Sequence, residues 1–344
     1  MRIFSGIQPT GQKHLGNYAG GFRQYAETQE RGEAFFCIVD LHSVTVEYDP
    51  ADLRRSTLAL AAMLFATGLD PERSTVFVQS HVPAHAEAAW LLGAASASFG
   101  ELRRMTQFKD KSGKQDFVSV GLFTYPVLQA ADILLYQTNL VPVGVDQRQH
   151  IELARDVALR FNARFGEVLA VPEGEYPAIG AKIMDLQEPE MKMSTTGGTP
   201  LGTVLIVDPP DVIRRKFRSA VTDSGREVRR APDKAGISNL IEIMAFATGE
   251  APDAIESRYD GQGYGGFKQD VAEAVVELLA PVQRRYDELL ADPGELERLL
   301  AVGADKAREA SAPTLAAMYA AMGFVPRAAG WPGSRPAQPG SAGA

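Results

Sequence analysis

Residues 5 to 18 read Ser-Gly-Ile-Gln-Pro-Thr-Gly-Gln-Lys-His-Leu-Gly-Asn-Tyr, with glycines at 6, 11 and 16 and the polar residues Lys13, His14 and Asn17 close to them. The stretch lies between an apolar run and a helix start, where backbone N–H groups point outward and favour an anion. Its spacing is neither Gly-x-Gly-x-x-Gly nor a loop ending in Gly-Lys-Ser/Thr, so it is no dinucleotide fingerprint and no P-loop. Taken alone it also fits a plain glycine-rich connection into a capped helix, with His14 as a capping or surface histidine. A second pointer is Asp132, a carboxylate flanked by Ala130, Ala131, Ile133 and Leu134. A charge in so apolar a helix needs a partner if buried; otherwise it marks the helix's polar face. A third is the set Arg214, Arg215, Lys216, Arg218, Arg226, Arg229, Arg230 and Lys234, eight cations among the four acids Asp211, Asp223, Glu227 and Asp233. That local excess suits phosphate contacts to a nucleic acid, or equally a solvated helix surface.

The elements that must hold these residues follow from the apolar runs. Those at 2–5, 35–39, 75–79 and 140–143 are continuous rather than alternating, which predicts parallel strands buried on both faces. Helical stretches separate them: one near Leu15, one at Asp49-Pro50 with a capping Asp and a first-turn Pro, one from Pro83 through Leu92, an apolar one over 125–136 and another over 147–165. The pattern predicts an α/β domain with a doubly wound parallel sheet over 1–208. From about Pro209 the periodicity is helical: Val271, Val275, Leu278, Leu279, Val282, Tyr286 and Leu289 share a face, and Pro281 is expected to kink that helix. An all-α helical domain over 209–325 should follow, then a disordered tail over 326–344 rich in Pro, Gly, Ala and Ser.

The chain has 344 residues, a net charge of −8 and 45% apolar residues, a globular composition. An acidic total argues against indiscriminate nucleic-acid binding. Cys37 is the only cysteine, so no internal disulfide and no cysteine-based cage can form. The expectation is a cytoplasmic protein without a structural metal. No apolar run reaches the ~18 residues of a membrane span, and the opening residues do not read as a signal peptide.

His14-Leu15-Gly16-Asn17 resembles the His-Ile-Gly-His signature of class I aminoacyl-tRNA synthetases. Lys192-Met193-Ser194-Thr195-Thr196 resembles their Lys-Met-Ser-Lys-Ser signature, in the right order and at the other end of the α/β segment. Within that class, residues 4–18, 37–45, 105–112, 124–135, 141–156 and 219–224 resemble the tryptophanyl-tRNA synthetase family, and the likeness extends to about residue 325. The tyrosyl family is the nearest relative, but Pro142-Val143-Gly144-Val145-Asp146-Gln147-Arg148-Gln149-His150 is similar to the tryptophan enzymes. The resemblance implies a Rossmann-like nucleotide-binding domain followed by an anticodon-reading helical bundle. It implies ATP-dependent activation of L-tryptophan to tryptophanyl-adenylate, transfer to tRNA(Trp), and release of AMP and diphosphate. The partners implied are ATP with Mg²⁺, L-tryptophan, tRNA(Trp) and a second copy of the chain in a homodimer.

In this chemistry an amino-acid carboxylate, already ionised at pH 7, attacks the α-phosphorus without a general base. The site must supply alignment, and cations or N–H donors where charge builds on the phosphates. The resemblance implies Lys192, Ser194, Asn17 and Lys111 as catalytic groups, with Lys109 a further cation. Gln8, Pro9, Thr10, Gly16 and Asn17 would contact ATP at one end. Gly144 and Asp146 would hold the ribose, with Val145 between them in the ATP-binding set, Ile183 and Met193 would flank the adenine, and Lys192, Met193, Ser194, Thr195 and Thr196 would close over the phosphates. Asp146 would also suit capping of a helix beginning at Gln147. For tryptophan, Phe4, Val141 and Val143 would form a flat slot beside Gln129, and Asp132 would accept the indole N–H. Tyr125, Gln147 and His42 would lie near the amino and carboxylate end.

Thr195 stands where the family has its second lysine and Thr196 where it has serine. One charge-assisted contact in a transition state is commonly worth ~2.7–4 kcal/mol. Slower activation, compensation by Lys109, Lys111 or an arginine, and a non-catalytic tryptophan-binding paralogue therefore stay open, as does a tyrosine-specific relative. Gly197-Gly198-Thr199-Pro200 leaves the loop free to close. Val145 replaces a usual acid, and Gln129 replaces an expected apolar residue, which bears on the handling of indole analogues.

Overall fold

The computed structural model describes residues 1–105, 118–176, 183–195 and 197–326. Lys109, Lys111, Thr196 and the expected tail from residue 327 onward lie outside the described residues. Five parallel strands form one sheet: β1 Arg2–Ile7, β2 Glu33–Ile38, β3 Ser74–Val78, β4 Leu140–Pro142 and β5 Glu173–Glu175, in the order β3-β2-β1-β4-β5. Phe4 stands opposite Phe35 and Phe35 opposite Thr75, while Ile3 stands opposite Leu140 and Val141 opposite Gly174. The doubly wound parallel sheet expected from the apolar runs is present. The strand missed is β5, whose Glu-Gly-Glu has no apolar run; it is a short edge strand hung on β4 and on a bond from the Glu173 N–H to the Asn139 carbonyl, 2.8 Å.

From β1 the chain winds outward through β2 to β3, then returns past β1 to β4. The winding direction therefore reverses between β1 and β4, and in such sheets a crevice opens there beyond the carboxyl ends of the strands. The helices around that crevice start where their caps dictate. Asp49 accepts from the Asp52 N–H at 2.8 Å and opens the Pro50–Ala66 helix, as read from the sequence. Ser119 accepts from the Leu122 N–H at 3.0 Å and opens the Val120–Leu134 helix five residues earlier than the apolar run suggested. Ala84–Ala95 packs against that helix, and Arg148–Phe165 follows β4.

Beyond residue 209 the described elements are helices: Pro210–Arg218, Ala235–Thr248, Pro252–Arg258, Tyr264–Ala291 and Pro293–Ala321. Pro281 lies within Tyr264–Ala291 and does not end it. Of the expected apolar face, Val271, Val275, Leu279, Val282 and Leu289 are buried, and Leu278 and Tyr286 pack against them half-buried. One apolar cluster joins this face to Leu15, Phe36, Leu64 and Val76 below the sheet. A second cluster, on the other face, joins Phe4, Phe35 and Phe77 to Tyr136, Phe161 and Met318. Pro293–Ala321 thus returns to the sheet and packs on β3. Its Gly303 comes so near that a Cβ there would stand 1.8 Å from the Val76 carbonyl oxygen, and Lys306 donates to the Pro71 carbonyl at 2.7 Å. No described helix is long and apolar enough to cross a membrane.

Candidate active site

A cavity of about 290 Å³ opens at the reversal between β1 and β4. Phe4 comes from β1, Val141 from β4 and Val143 from just beyond it. Tyr125, Gln129 and Asp132 come from one face of the Val120–Leu134 helix, where residues four and then three apart align. His42 arrives on the short helix Asp40–Ser43, and Gln147 on the turn before Arg148–Phe165. All the residues assigned to tryptophan by resemblance therefore line one cavity, joined by Gln8 and Gly144 from the ATP set. Ser5, Tyr25 and Val39 also line it without having been singled out.

Asp132 is 1% exposed, so it is the paired, buried carboxylate and not part of a polar helix face. Its Oδ2 meets His42 Nε2 at 2.9 Å. Its Oδ1 accepts from Gln79 Nε2 at 2.7 Å and meets His85 Nδ1 at 2.6 Å. His85 Nε2 in turn faces the Tyr136 hydroxyl at 2.9 Å. Burial alone would raise the Asp132 carboxyl, but the bonds and charges of His42 and His85 outweigh it and hold the group down at about 2. A carboxylate offers roughly four acceptor positions, so one remains on Oδ2. His42, assigned by resemblance to the opposite end of the amino acid, is bonded to Asp132 itself. Gln79, His85 and Tyr136 were missed; a lone histidine in an Ala- and Leu-rich helix was the only local signal. Burial pushes the Tyr125 hydroxyl up to about 12, and its oxygen lies 3.0 Å from His150 Nε2.

Neither His14–Asn17 nor Lys192–Thr195 lines this cavity; the first signature follows the loop whose Gly6 and Gln8 do, and the two signature segments are joined to each other. The His14 N–H donates to Asn17 Oδ1 at 3.0 Å, so the amide oxygen closes the first turn of Leu15–Asn17 while the amide NH₂ stays a donor. Lys13 Nζ gathers the loop by donating to the Thr10 and Gln8 carbonyls at 2.8 and 3.4 Å. The Leu15 N–H donates to the Val204 carbonyl at 2.8 Å and the Ile206 N–H to the Lys13 carbonyl at 2.9 Å, tying the first signature to the chain just after the second. Burial, reinforced by the charges of Lys192 and Lys13, lowers the His14 imidazole to about 4, so it is neutral at pH 7. A Cβ on Gly16 would stand 3.7 Å from Met193 Cβ, and one on Gly11, whose φ is +64°, 3.5 Å from Thr195 Oγ1.

Lys192 and Thr195 are exposed, as are Gln8 and Thr10, while Pro9 and Gly16 are buried. The Ser194 carbonyl accepts from Thr203 Oγ1 at 2.8 Å and from the Gly198 N–H at 3.2 Å. Ile183 and Met193 are 0% and 2% exposed and sit in the apolar cluster with Leu15, joined by the Met193 N–H to the Ile183 carbonyl at 3.1 Å. Their side chains are core, so in this conformation the pair offers a nucleotide little beyond backbone.

Two expectations need correction. Asp146 does not cap the helix after it: a 3₁₀ turn, Val145–Gln147, intervenes, Gln147 takes the cap position, and the exposed Asp146 carboxylate accepts from Gln147 Nε2 at 2.6 Å. The basic stretch is largely neutralised in place. Lys216 is buried, donating to Asp208 at 2.6 Å and to the Thr203 carbonyl at 2.7 Å. Arg214 pairs with Glu273 at 2.7 Å, Arg229 with Glu227 at 2.9 Å, Arg230 with Glu256 at 2.9 Å, and Lys234 with Asp223 at 3.1 Å. Two of these acids, Glu256 and Glu273, come from later helices that a local charge count cannot see. Arg215, Arg218 and Arg226 are exposed and form no ion pair among the described residues. No group of three or more His, Cys, Asp or Glu among the described residues is arranged to hold a metal ion.

The sequence model described as tRNA synthetases class I (W and Y) matches residues 1–280. The tryptophan–tRNA ligase of Clostridium perfringens is 52% identical over 326 residues, 94% of this chain and 98% of that one. Tryptophan–tRNA ligase 2 of Streptomyces avermitilis is 54% identical over 329 residues, 94% of this chain and 97% of that one. The solved tryptophanyl-tRNA synthetase of Campylobacter jejuni, complexed with ADP and tryptophan, matches with a TM-score of 0.84 at 34% identity, over 94% of this chain and 100% of that one. The chain belongs to the class I tRNA synthetases of the tryptophan and tyrosine group. Within that group it falls with the tryptophan–tRNA ligases.

Proposed function

We propose that this chain carries out ATP-dependent tryptophan–tRNA ligation in the crevice between β1 and β4, forming tryptophanyl-adenylate and passing the acyl group to tRNA(Trp). The observation that carries the site is the convergence of Phe4, Val141, Val143, Gln129 and Asp132 on one cavity, with Gln8 of the loop before the first signature in the same lining. An indole fits an apolar slot with a single acceptor, and Asp132 Oδ2 has an acceptor position left. Tyr125 and Gln147 orient the amino acid at the other end. Its carboxylate attacks the α-phosphorus while N–H groups at the start of Leu15–Asn17, the Asn17 amide and Lys192 meet the phosphates. Ser194 and Lys111 complete the catalytic set on the strength of the resemblance, and Mg²⁺ arrives with ATP. Gly144 and Asp146 hold the ribose, with Val145 between them in the ATP-binding set and the exposed Asp146 carboxylate accepting from the ribose hydroxyls.

Residues 1–208 form the catalytic unit in this reading, and 209–325 the unit that meets tRNA(Trp) through Arg215, Arg218 and Arg226. A homodimer is proposed as well. Trp90, Phe99 and Val120 are 75%, 70% and 78% exposed on neighbouring helices, and the Phe99 ring lies 5.1 Å from Phe123, an apolar surface of the kind that association covers. A cytoplasmic protein is part of the same proposal, since ATP and tRNA are both available there.

The test is exchange of labelled diphosphate into ATP with tryptophan, with tyrosine and with neither. Exchange with tryptophan alone is expected. Exchange with tyrosine would move the specificity, and no exchange with a melting temperature still raised by tryptophan would mean a binding paralogue.

A further inference from the structure

The Asp132 carboxylate has a front and a back. Its Oδ2 is shared with His42, which lines the cavity, whereas Oδ1 is turned to Gln79 and His85, which are both fully buried and do not line it. The orientation of Gln79 is dictated by its other end, since Oε1 accepts from the Leu41 N–H at 3.1 Å and so leaves Nε2 to point at Asp132. The same bond ties down the helix that carries His42. His85 is held at both ends likewise, with Nδ1 meeting Asp132 Oδ1 at 2.6 Å and Nε2 meeting the Tyr136 hydroxyl at 2.9 Å.

We propose that Gln79 and His85 are positioning residues for amino-acid recognition, holding Asp132 Oδ1 from behind so that Oδ2 is presented to the cavity as an ionised, accept-only oxygen. This rests on the assignment of Asp132 to the indole N–H. A ring N–H can only donate, so the site gains from a carboxylate that never carries a proton of its own. An unsupported buried carboxyl would take one up, because burial disfavours its charge. Beyond Gln79, the groups facing Asp132 are His42 from Asp40–Ser43, His85 from Ala84–Ala95, Tyr136 beyond Val120–Leu134, and Cys37 from β2 with Asp40 behind it. Burial, with Asp132 and neighbouring groups, pushes both the Cys37 thiol and the Tyr136 hydroxyl up, so neither supplies charge near neutral pH. The histidines and Gln79 are the donors that matter.

The experiment measures tryptophan-dependent diphosphate exchange across pH for His85→Leu, His85→Asn, Gln79→Met and Asp132→Asn, with folding followed by circular dichroism. Loss of one donor to a charged group should raise KM for tryptophan about tenfold in His85→Leu and Gln79→Met, with KM for ATP and kcat within about twofold of the parent. His85→Asn, whose amide nitrogen can take the Nδ1 position, should recover most of that loss even though it cannot reach Tyr136. In His85→Leu an acidic limb in kcat/KM for tryptophan should enter between about pH 5 and 7, since the carboxyl then rises. Equal losses in both substrates, no recovery with asparagine, or an unchanged pH profile would overturn the proposal. Should His85→Leu fail to fold, Gln79→Met set against His85→Asn separates the same outcomes. An unchanged tryptophan KM in Asp132→Asn would overturn the site assignment and this inference together. A raised one, with Gln79→Met and His85→Leu at parental values, would overturn this inference alone.

Discussion

Thr195 is exposed beside Gly11, on the face where the first signature loop and the second meet. In the proposed reaction a lysine there would supply the cation that the second signature lacks, next to the expected place of the leaving diphosphate. Thr195→Lys is expected to raise the rate of adenylate formation about tenfold or more without changing KM for tryptophan. Single-turnover activation measured with both proteins checks this, and an equal or slower rate would remove the role. His14 makes a separate residue-scale statement. The unfolded chain binds its proton near 6.5 and the folded chain only near 4, so below 6.5 protonation favours unfolding. The stability tied to His14 is fully present above about pH 6.5 and is lost as pH falls toward 4. Melting temperatures of the parent and His14→Gln from pH 7 downward should show the flatter curve for the variant.

At the scale of elements, the loop after the second signature depends on one buried carboxylate. Asp185 Oδ1 accepts from the Gln187 and Glu188 N–H groups at 2.8 and 3.1 Å, and Gly198 and Gly202 pass over the same carboxylate. A Cβ on Gly202 would stand 1.7 Å from Asp185 Oδ1, whereas one on Gly197 would meet nothing within 4 Å. Gly202→Ala should therefore slow tryptophan activation about tenfold or more, while Gly197→Ala stays within about twofold. Diphosphate exchange on the two variants decides it, and equal effects would mean that the loop moves clear of Asp185 during the reaction. Elements also differ in how legible they are from sequence. The first four strands were legible because burial on both faces writes continuous apolar runs. β5 was not, because a half-exposed edge strand is defined by its partner's backbone. The start of Val120–Leu134 was misplaced because its cap, Ser119, lies ahead of the apolar run over 125–136.

For the whole molecule, the helices beyond residue 209 and the sheet share apolar clusters, and the last helix closes back on β3 through Gly303. Groups that share a core unfold together. Thermal unfolding followed by circular dichroism and by calorimetry should therefore give one transition for the described body. Gly303→Ala should destabilise that body by ~1–3 kcal/mol or more, because the added methyl meets the Val76 carbonyl in a packed interface. Two separated transitions in the parent would contradict the shared core.

The sequence by itself determined the parallel α/β sheet, the caps and apolar faces of several helices, the lone carboxylate at Asp132, and the two signatures with their altered lysine. These are carried by residue types at local spacing, which is where propensity, capping and periodicity act. Only the tertiary structure decided what stands opposite what. It set His85 and Gln79 behind Asp132, His14 beside Lys192, the acids of later helices against Arg214 and Arg230, and Lys216 inside against Asp208. Apart from Lys216 with Asp208, eight residues away, those pairings join segments far apart in the chain, and neither residue of such a pair carries a mark of the other. Their choice is enforced by the cost of burying a polar group without a partner, a cost that arises only when the chain has closed around it.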